Sequence, residues 1–137
     1  MARILGIDPG TKRCGLAVTD SSESMAFPRP ALSYDERFVD HVRAVIEEEV
    51  VAEVVIGRPL SLSGNVTAST EFADGLFEQL AAGLAVPVAQ CDERLTTTQA
   101  QRALHATGAT TKGSRDRIDS ASAVVLLQHY IDARHGR

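Results

Sequence analysis

The order of apolar segments along the chain predicts an α/β fold built on a mixed sheet. Short runs rich in β-branched residues, typical of strands, alternate with segments in which apolar residues recur at helical spacing. Three strand-like runs precede the first helical segment, and helices separate the later strands. Strands joined by a turn pair antiparallel, whereas strands joined through a helix pair parallel. We therefore expect five strands, antiparallel at first and parallel later, flanked by helices.

The predicted strands differ in character. The first ends at Pro9-Gly10, a turn signal. The third contains two prolines, which indicates a short edge strand, because proline cannot donate a hydrogen bond to a neighbour. The fourth is continuous and β-branched, as expected for a strand buried on both faces. The expected strands are residues 4–8, 15–19, 28–32, 53–57 and 86–91.

The predicted helices have recognisable starts and stops. Ser33 with Glu36, and Thr96 with Gln99, have the spacing of a capping box, in which two side chains satisfy free N–H groups at a helix start. Glycines end two of these segments. The expected helices are residues 38–49, 72–83, 96–108 and 117–133.

Length and composition restrict the class of protein. The 137 residues predict a single domain, 1–137, with an ordinary core. No apolar run approaches a membrane span, and a charge follows Met1 too early for a signal peptide. Cys14 and Cys91 lie far apart without metal-ligand spacing, which favours reduced thiols in a cytoplasmic protein. The net charge of −4 argues against a broad basic surface, although two bound divalent cations would neutralise it.

Acidic side chains end two of the predicted strands. Asp8 closes the first strand, and Asp92 and Glu93 follow the last. Sites in open α/β sheets gather at the carboxyl ends of parallel strands. The alternation of side chains puts Glu93 on the same face as Asp8, with Asp92 as the alternative if the register slips by one residue. Asp119 falls in the first turn of the last helix, which must pack back on the sheet.

An acidic trio of this kind favours a cation site. Three carboxylates repel one another unless an ion neutralises them, and Mg²⁺ prefers oxygen ligands and keeps water molecules for chemistry. Two such ions can activate a water and stabilise the leaving oxygen in phosphodiester cleavage. Each acid alone has a structural alternative: Asp8 would shape a turn, and Asp119 would favour a helix N-terminus by its charge.

A polar, basic connection follows Asp8. Gly10, Thr11 and Lys12 offer N–H, hydroxyl and ammonium groups to a phosphate, although such residues are also ordinary hairpin material. Further basic candidates for contacting nucleic acid lie later in the chain. They are Arg13, Arg94, Arg102, Lys112, Arg115 and Arg117.

Four segments together resemble the YqgF/RuvX family of bacterial ribonuclease H-like proteins. They occur in the family's order and spacing across nearly the whole chain, which makes the combination specific. The segments are residues 7–12 with 15–17, residues 56–60 with Gly64, residues 92–97, and residues 118–123 with Leu127-Gln128.

The resemblance implies a ribonuclease H-like fold, a divalent cation, Mg²⁺ or Mn²⁺, and a cytoplasmic nuclease acting in 5′-end maturation of precursor 16S ribosomal RNA. Some relatives are treated as Holliday-junction resolvases. By position, the family's acidic trio falls on Asp8, Glu93 and Asp119. Two features depart from the family. Ser61 stands where many relatives have Asn, and Asp116 is either a fourth acidic ligand or an N-cap, the role that we favour.

Three function classes compete. The leading hypothesis is a metal-dependent endonuclease in which Asp8 and Asp119 bind the cations, Glu93 holds a metal or orients water, and Lys12 and Arg94 engage phosphates. The second is a non-catalytic nucleic-acid-binding scaffold. The third is a phosphotransferase, because Asp-x-Gly-Thr also resembles the phosphate loop of actin-like ATPases, but the chain is too short for the second lobe these enzymes need.

The expected partner is structured RNA or branched DNA, and the residues do not choose between them. A four-way DNA junction would suit a symmetric homodimer, whereas a monomer could process an RNA end. The chain has six aromatic residues, no tryptophan and no recognised RNA-reading motif to supply stacking surfaces.

Overall fold

A computed structural model describes residues 3–93 and 115–136, with residues 115–119 described only as part of a helix. The chain alternates strands and helices in the predicted way. The strands are β1 (Arg3–Asp8), β2 (Arg13–Thr19), β3 (Ala26–Ser33), β4 (Val51–Arg58) and β5 (Val88–Asp92), and the helices are α1 (Phe38–Glu49), α2 (Ala68–Gly83) and α3 (Arg115–Arg134). The helix predicted over residues 96–108 lies outside the described residues.

The five strands form one mixed sheet in the order β3-β2-β1-β4-β5. β1 pairs antiparallel with β2, and β2 pairs antiparallel with β3. β4 runs parallel to both β1 and β5. The predicted mixed sheet is therefore confirmed, and the carboxyl ends of β1, β4 and β5 lie at the same edge.

The two faces of the sheet pack against different helices. On one face, Leu5 and Ile7 of β1 join a buried cluster with residues of α1 and α2. On the other, Ile4 joins a smaller cluster with Ala123 and Leu127 of α3. This alternation is the period-two pattern of a strand. It assigns each strand-end side chain either to the α1/α2 face or to the α3 face.

The predicted capping box at Ser33 and Glu36 is wrong. Ser33 is the last residue of β3 and pairs with Arg13, so its backbone belongs to the sheet. Helix α1 begins five residues later, after a turn in which the Asp35 carboxylate accepts a 2.9 Å hydrogen bond from the Arg37 N–H. Sheet pairing therefore overrides the local capping signal.

A capping box is instead found at the start of α2, where the sequence interpretation placed none. Thr67 accepts a hydrogen bond from the N–H of Thr70, and the Thr70 hydroxyl accepts one from the N–H of Thr67. The Thr70 hydroxyl also donates to the Pro59 carbonyl. Helix α2 thus begins four residues earlier than predicted, and its first turn is tied to the segment after β4.

Strand β5 begins after Pro87, two residues later than predicted.

Ser120 attaches the start of α3 to the sheet. Its hydroxyl is fully buried, donates a 2.6 Å hydrogen bond to the Arg29 carbonyl and accepts one from the Leu16 N–H at 3.2 Å. These groups lie where the register between β2 and β3 shifts. The hydroxyl therefore satisfies backbone groups that the strand pairing leaves unpaired.

We expect Ser120→Ala to destabilise the protein by about 1–3 kcal/mol, because a buried N–H and a buried carbonyl would lose their partner. Urea unfolding would measure the change. Ser21→Ala, at an exposed serine, is the matched control and should alter stability by less than about 0.5 kcal/mol. Equal stability of the two variants would contradict the anchoring role.

None of the helices within residues 3–93 and 115–136 is both long and apolar enough to cross a bilayer.

Candidate active site

Asp8 and Glu93 meet at the carboxyl edge of the parallel strands. Asp8 ends β1, and Glu93 follows the last residue of β5. Gly6 faces α3, since a Cβ at this position would lie 3.0 Å from the Leu127 Cβ, and Asp8 shares its face by strand alternation. The two carboxyl groups are joined by a side-chain hydrogen bond. Sequence reasoning expected these two acids to share an edge, and the structure brings them into contact.

Gly57 lets the Glu93 side chain reach Asp8. It lies in β4, between the strands that carry the two acids. A Cβ built on Gly57 would lie 2.5 Å from Cδ and 2.8 Å from Cγ of Glu93, distances that real Cβ contacts do not show. The Glu93 side chain therefore lies directly over the glycine, in space that any other residue would fill. Sequence reasoning placed Gly57 in one of the segments that resemble the family but did not connect it with Glu93.

The environment of Glu93 favours its protonated form. Burial, the hydrogen bond to Asp8 and the negative charges of Asp8 and Asp92 together raise the pKa of Glu93 from 4.5 to about 9. Two carboxyl groups in contact cannot both be charged without a counter-ion, so they share a proton. A divalent cation would neutralise the same pair in place of that proton. The oxygen donors present therefore fit Mg²⁺ or Mn²⁺.

We expect the metal-free protein to lose stability as the pH rises. The folded state keeps the Glu93 proton up to about pH 9, whereas an unfolded glutamate releases it near 4.5, so the folded state binds more protons between these values. Chemical unfolding in a chelator between about pH 5 and pH 8 would measure the slope. Glu93→Gln should flatten the slope, and so should added Mg²⁺. An unchanged slope in Glu93→Gln would contradict this account.

Asp92 points to the opposite face. It pairs in register with Arg58, whose side chain holds Asp74 of α2 through two hydrogen bonds of 2.9 and 3.1 Å. Gln90 donates to the same carboxylate at 2.8 Å. Asp92 therefore lies on the α1/α2 side with this polar cluster. The register slip that would have made Asp92 the partner of Asp8 does not occur.

Helix α3 carries the predicted third acid beside the anchor residue Ser120. Asp119 immediately precedes Ser120, but its side chain lies outside those that the structure describes. Asp116 lies within α3 and not at an N-cap, so the capping role that we favoured for it is wrong. It falls three residues before Asp119, on the same side of the helix. Among the described side chains, no group of three or more acidic, histidine or cysteine residues is arranged to hold a metal.

The predicted phosphate-binding loop lies beside the acidic pair. Gly10 is required by the tight connection, because a Cβ there would overlap the Arg13 carbonyl. Thr11 and Lys12 are exposed and so accessible to a ligand. The thiol of buried Cys14 donates to the Gly10 carbonyl at 3.6 Å, and burial raises the pKa of this thiol to about 11. The Cys14 thiol therefore stays protonated and supports the loop through this hydrogen bond.

Arg13 is exposed at the start of β2, whereas the predicted phosphate contacts later in the chain are not described. Arg94 and Lys112, together with Arg102, fall in residues 94–114, outside the described residues. Arg115 and Arg117 belong to the first turn of α3, and their side chains are likewise outside those described. Their contact with a nucleic acid stays a prediction.

Comparison with known proteins identifies the family. The family model described as "RuvX: Holliday junction resolvase" matches residues 2–133. The chain belongs to the RuvX family. Similar relatives are proteins of Clavibacter michiganensis, 41% identical and covering 93% of this chain and 81% of the relative, and of Corynebacterium glutamicum, 38% identical and covering 96% and 79%. Each carries the name "Putative pre-16S rRNA nuclease".

Solved structures confirm the ribonuclease H-like fold of this RuvX-family chain. T. thermophilus RuvC, in complex with a Holliday junction substrate, aligns with a TM-score of 0.61 and 20% identity over 99% of this chain and 97% of RuvC. The Fowlpox virus resolvase, also in complex with Holliday junction DNA, aligns with a TM-score of 0.56 and 12% identity over 96% and 98%.

Proposed function

We propose that this RuvX-family chain is a divalent-metal-dependent endonuclease that hydrolyses phosphodiester bonds. The observation that carries the proposal is the contact between the carboxyl groups of Asp8 and Glu93 at the carboxyl edge of three parallel strands. Asp8, Glu93 and Asp119 would hold Mg²⁺ or Mn²⁺, with Asp116 as a further candidate ligand. The bound ion would supply a Lewis acid and lower the pKa of a coordinated water.

The chain's own groups would perform the remaining tasks. Gly57 leaves room for Glu93, whose carboxylate would orient the attacking water or hold a cation. Gly10, Thr11 and Lys12 would hold a phosphate next to the acids, and Arg94, Lys112 and Arg115 would neutralise further phosphates. These local cations matter because the chain carries a net charge of −4.

The substrate that we propose is precursor 16S ribosomal RNA, cleaved during maturation of its 5′ end in the cytoplasm as a step of ribosome biogenesis. The names of relatives that align over most of this chain support it. A relative of Anaeromyxobacter sp. with the same name covers 97% of this chain and 98% of its own length. Family membership also favours hydrolysis over the phosphotransferase hypothesis, which ATP hydrolysis by the purified protein would revive.

A second candidate substrate is a four-way DNA junction. The description of the family model and the two resolvase structures that share the fold favour it. This activity would need paired cuts on two strands, which a symmetric homodimer would provide. An RNA end requires only a monomer.

Incubation of the protein with precursor 16S RNA and with a synthetic four-way junction, each in Mn²⁺, tests the proposal. We expect cleavage of the RNA near the mature 5′ end and no paired cuts in the junction. The opposite result would make the protein a resolvase. Binding without cleavage of either substrate would contradict the nuclease and favour the scaffold hypothesis.

A further inference from the structure

A cleft lies beside the acidic pair, on the other face of the sheet edge. It has a volume of about 250 Å³ and is lined by Pro9, Gly10, Thr11, Pro59, Ala68, Ser69 and Phe72. One wall consists of Pro9, Gly10 and Thr11 and begins one residue after Asp8. The opposite wall includes Pro59, which follows Gly57 by two residues. A nucleic-acid strand with a phosphate at the acidic pair would therefore reach the cleft by crossing the sheet edge.

The walls of the cleft are held in place by hydrogen bonds and a ring contact with neighbouring residues. The Thr70 hydroxyl joins the first turn of α2 to the Pro59 carbonyl. The ring of Tyr34 packs against Phe72 with centroids 5.0 Å apart and planes at 84°. The backbone N–H of Tyr34 donates a 2.8 Å hydrogen bond to the carbonyl of Lys12, the residue after Thr11. Tyr34 therefore links the Phe72 wall to the wall that contains Thr11. The cleft is therefore formed before any ligand binds, as ligand sites usually are.

We infer that this cleft binds one unpaired nucleotide of the substrate, the nucleotide next to the phosphate that is cleaved, with its base against Phe72. The inference rests on the proposed nuclease function. It commits the site to a strand that is unpaired at the cut, because a base that is paired and stacked within a duplex cannot enter a protein cleft.

The chemistry of the lining matches a nucleotide. Phe72 and the two prolines offer apolar surface to a base, and stacking of bases on aromatic rings is one of the two main ways in which proteins bind single strands. The hydroxyls of Thr11 and Ser69 can hydrogen-bond to a base edge or a ribose. Lys12, exposed and adjacent to Thr11, supplies a positive charge for the phosphate that follows. A volume of about 250 Å³ is below the range of about 300–1,000 Å³ for larger ligands and suits a single nucleotide unit.

Removal of single bases from a cleaved substrate tests the inference. The cut is first mapped with the wild-type protein in Mn²⁺, and an abasic nucleotide then replaces each of the neighbours of the scissile phosphate in turn. We expect one abasic position to lower kcat/KM on the order of 5- to 150-fold, which is the loss expected when one base no longer stacks on an aromatic ring.

Variants of Phe72 identify the contact. In Phe72→Leu, which keeps an apolar side chain but loses the ring, the intact substrate should be cleaved less efficiently and the abasic penalty should disappear. Phe72→Tyr should restore the penalty. Phe27→Ala is the matched control, because Phe27 is 46% exposed and lies at the far end of β3. It should keep the full penalty, and thermal unfolding would establish that all variants fold.

The outcomes separate the two proposals. Cleavage with the same abasic penalty in Phe72→Leu and wild type would overturn the nucleotide site and leave the nuclease intact. Cleavage without a penalty at any position would do the same. Absence of cleavage of every substrate would overturn the proposed function, and the nucleotide site with it.

Discussion

Asp8→Asn is expected to lower the rate of phosphodiester cleavage on the order of 10³-fold or more. The substitution removes a charged ligand from the proposed cation site, and a metal ion contributes several kcal/mol to the stabilisation of such a transition state. Cleavage of precursor 16S RNA in saturating Mn²⁺, followed at the 5′ end, would measure the loss.

The fold should survive this substitution. Asn in place of Asp8 removes a negative charge from beside Glu93, so the metal-free variant should be at least as stable as the wild type. Asp40→Asn, at a carboxylate whose side chain is 63% exposed on α1, is the matched control and should cleave at the wild-type rate. Full activity of the Asp8 variant would remove this residue from the mechanism.

Gly57→Ala is expected to have the second largest effect. The added methyl group would occupy the space of the Glu93 carboxyl group and force it away from Asp8. Displacement of a catalytic group by about 1 Å costs on the order of 10²-fold in rate. We therefore expect a loss of about 10²-fold in kcat, with weaker binding of Mn²⁺ in a calorimetric titration.

Gly75→Ala provides the comparison for this variant. Gly75 lies within α2, and a Cβ there would meet no atom within 4 Å. Alanine should leave activity unchanged and stabilise the helix by about 1 kcal/mol. If Gly57→Ala were equally active, the close approach of Glu93 to the strand would have no part in catalysis.

The fold was predictable because hydrophobic periodicity dominates its strands and helices. The continuous apolar run around Val54 and Val55 indicates a strand buried on both faces, and the structure buries both residues completely. The capping signal at Ser33 failed because hydrogen bonds of the sheet, made with distant residues, compete with local caps. The cap predicted at Asp116 failed because α3 already includes Arg115, so this residue lies inside the first turn and not before it.

The candidate site was only partly predictable. Strand alternation alone places Asp8 and Glu93 on one face, because both strands run parallel to β4. The role of Gly57 depends on the path of a side chain from the neighbouring strand, and no local pattern records such a contact. The Phe72 cleft likewise unites residues 9–11 with Pro59 and residues 68–72, which lie far away in the chain. Long-range packing of this kind is visible only in three dimensions.

The cation site is the central claim, and anomalous diffraction from crystals soaked in Mn²⁺ tests it most directly. We expect a manganese peak in contact with the carboxylate oxygens of Asp8 and Glu93, and a diminished peak in crystals of Asp8→Asn. The account would be contradicted if crystals soaked at the Mn²⁺ concentration that saturates cleavage showed no peak at these two carboxylates.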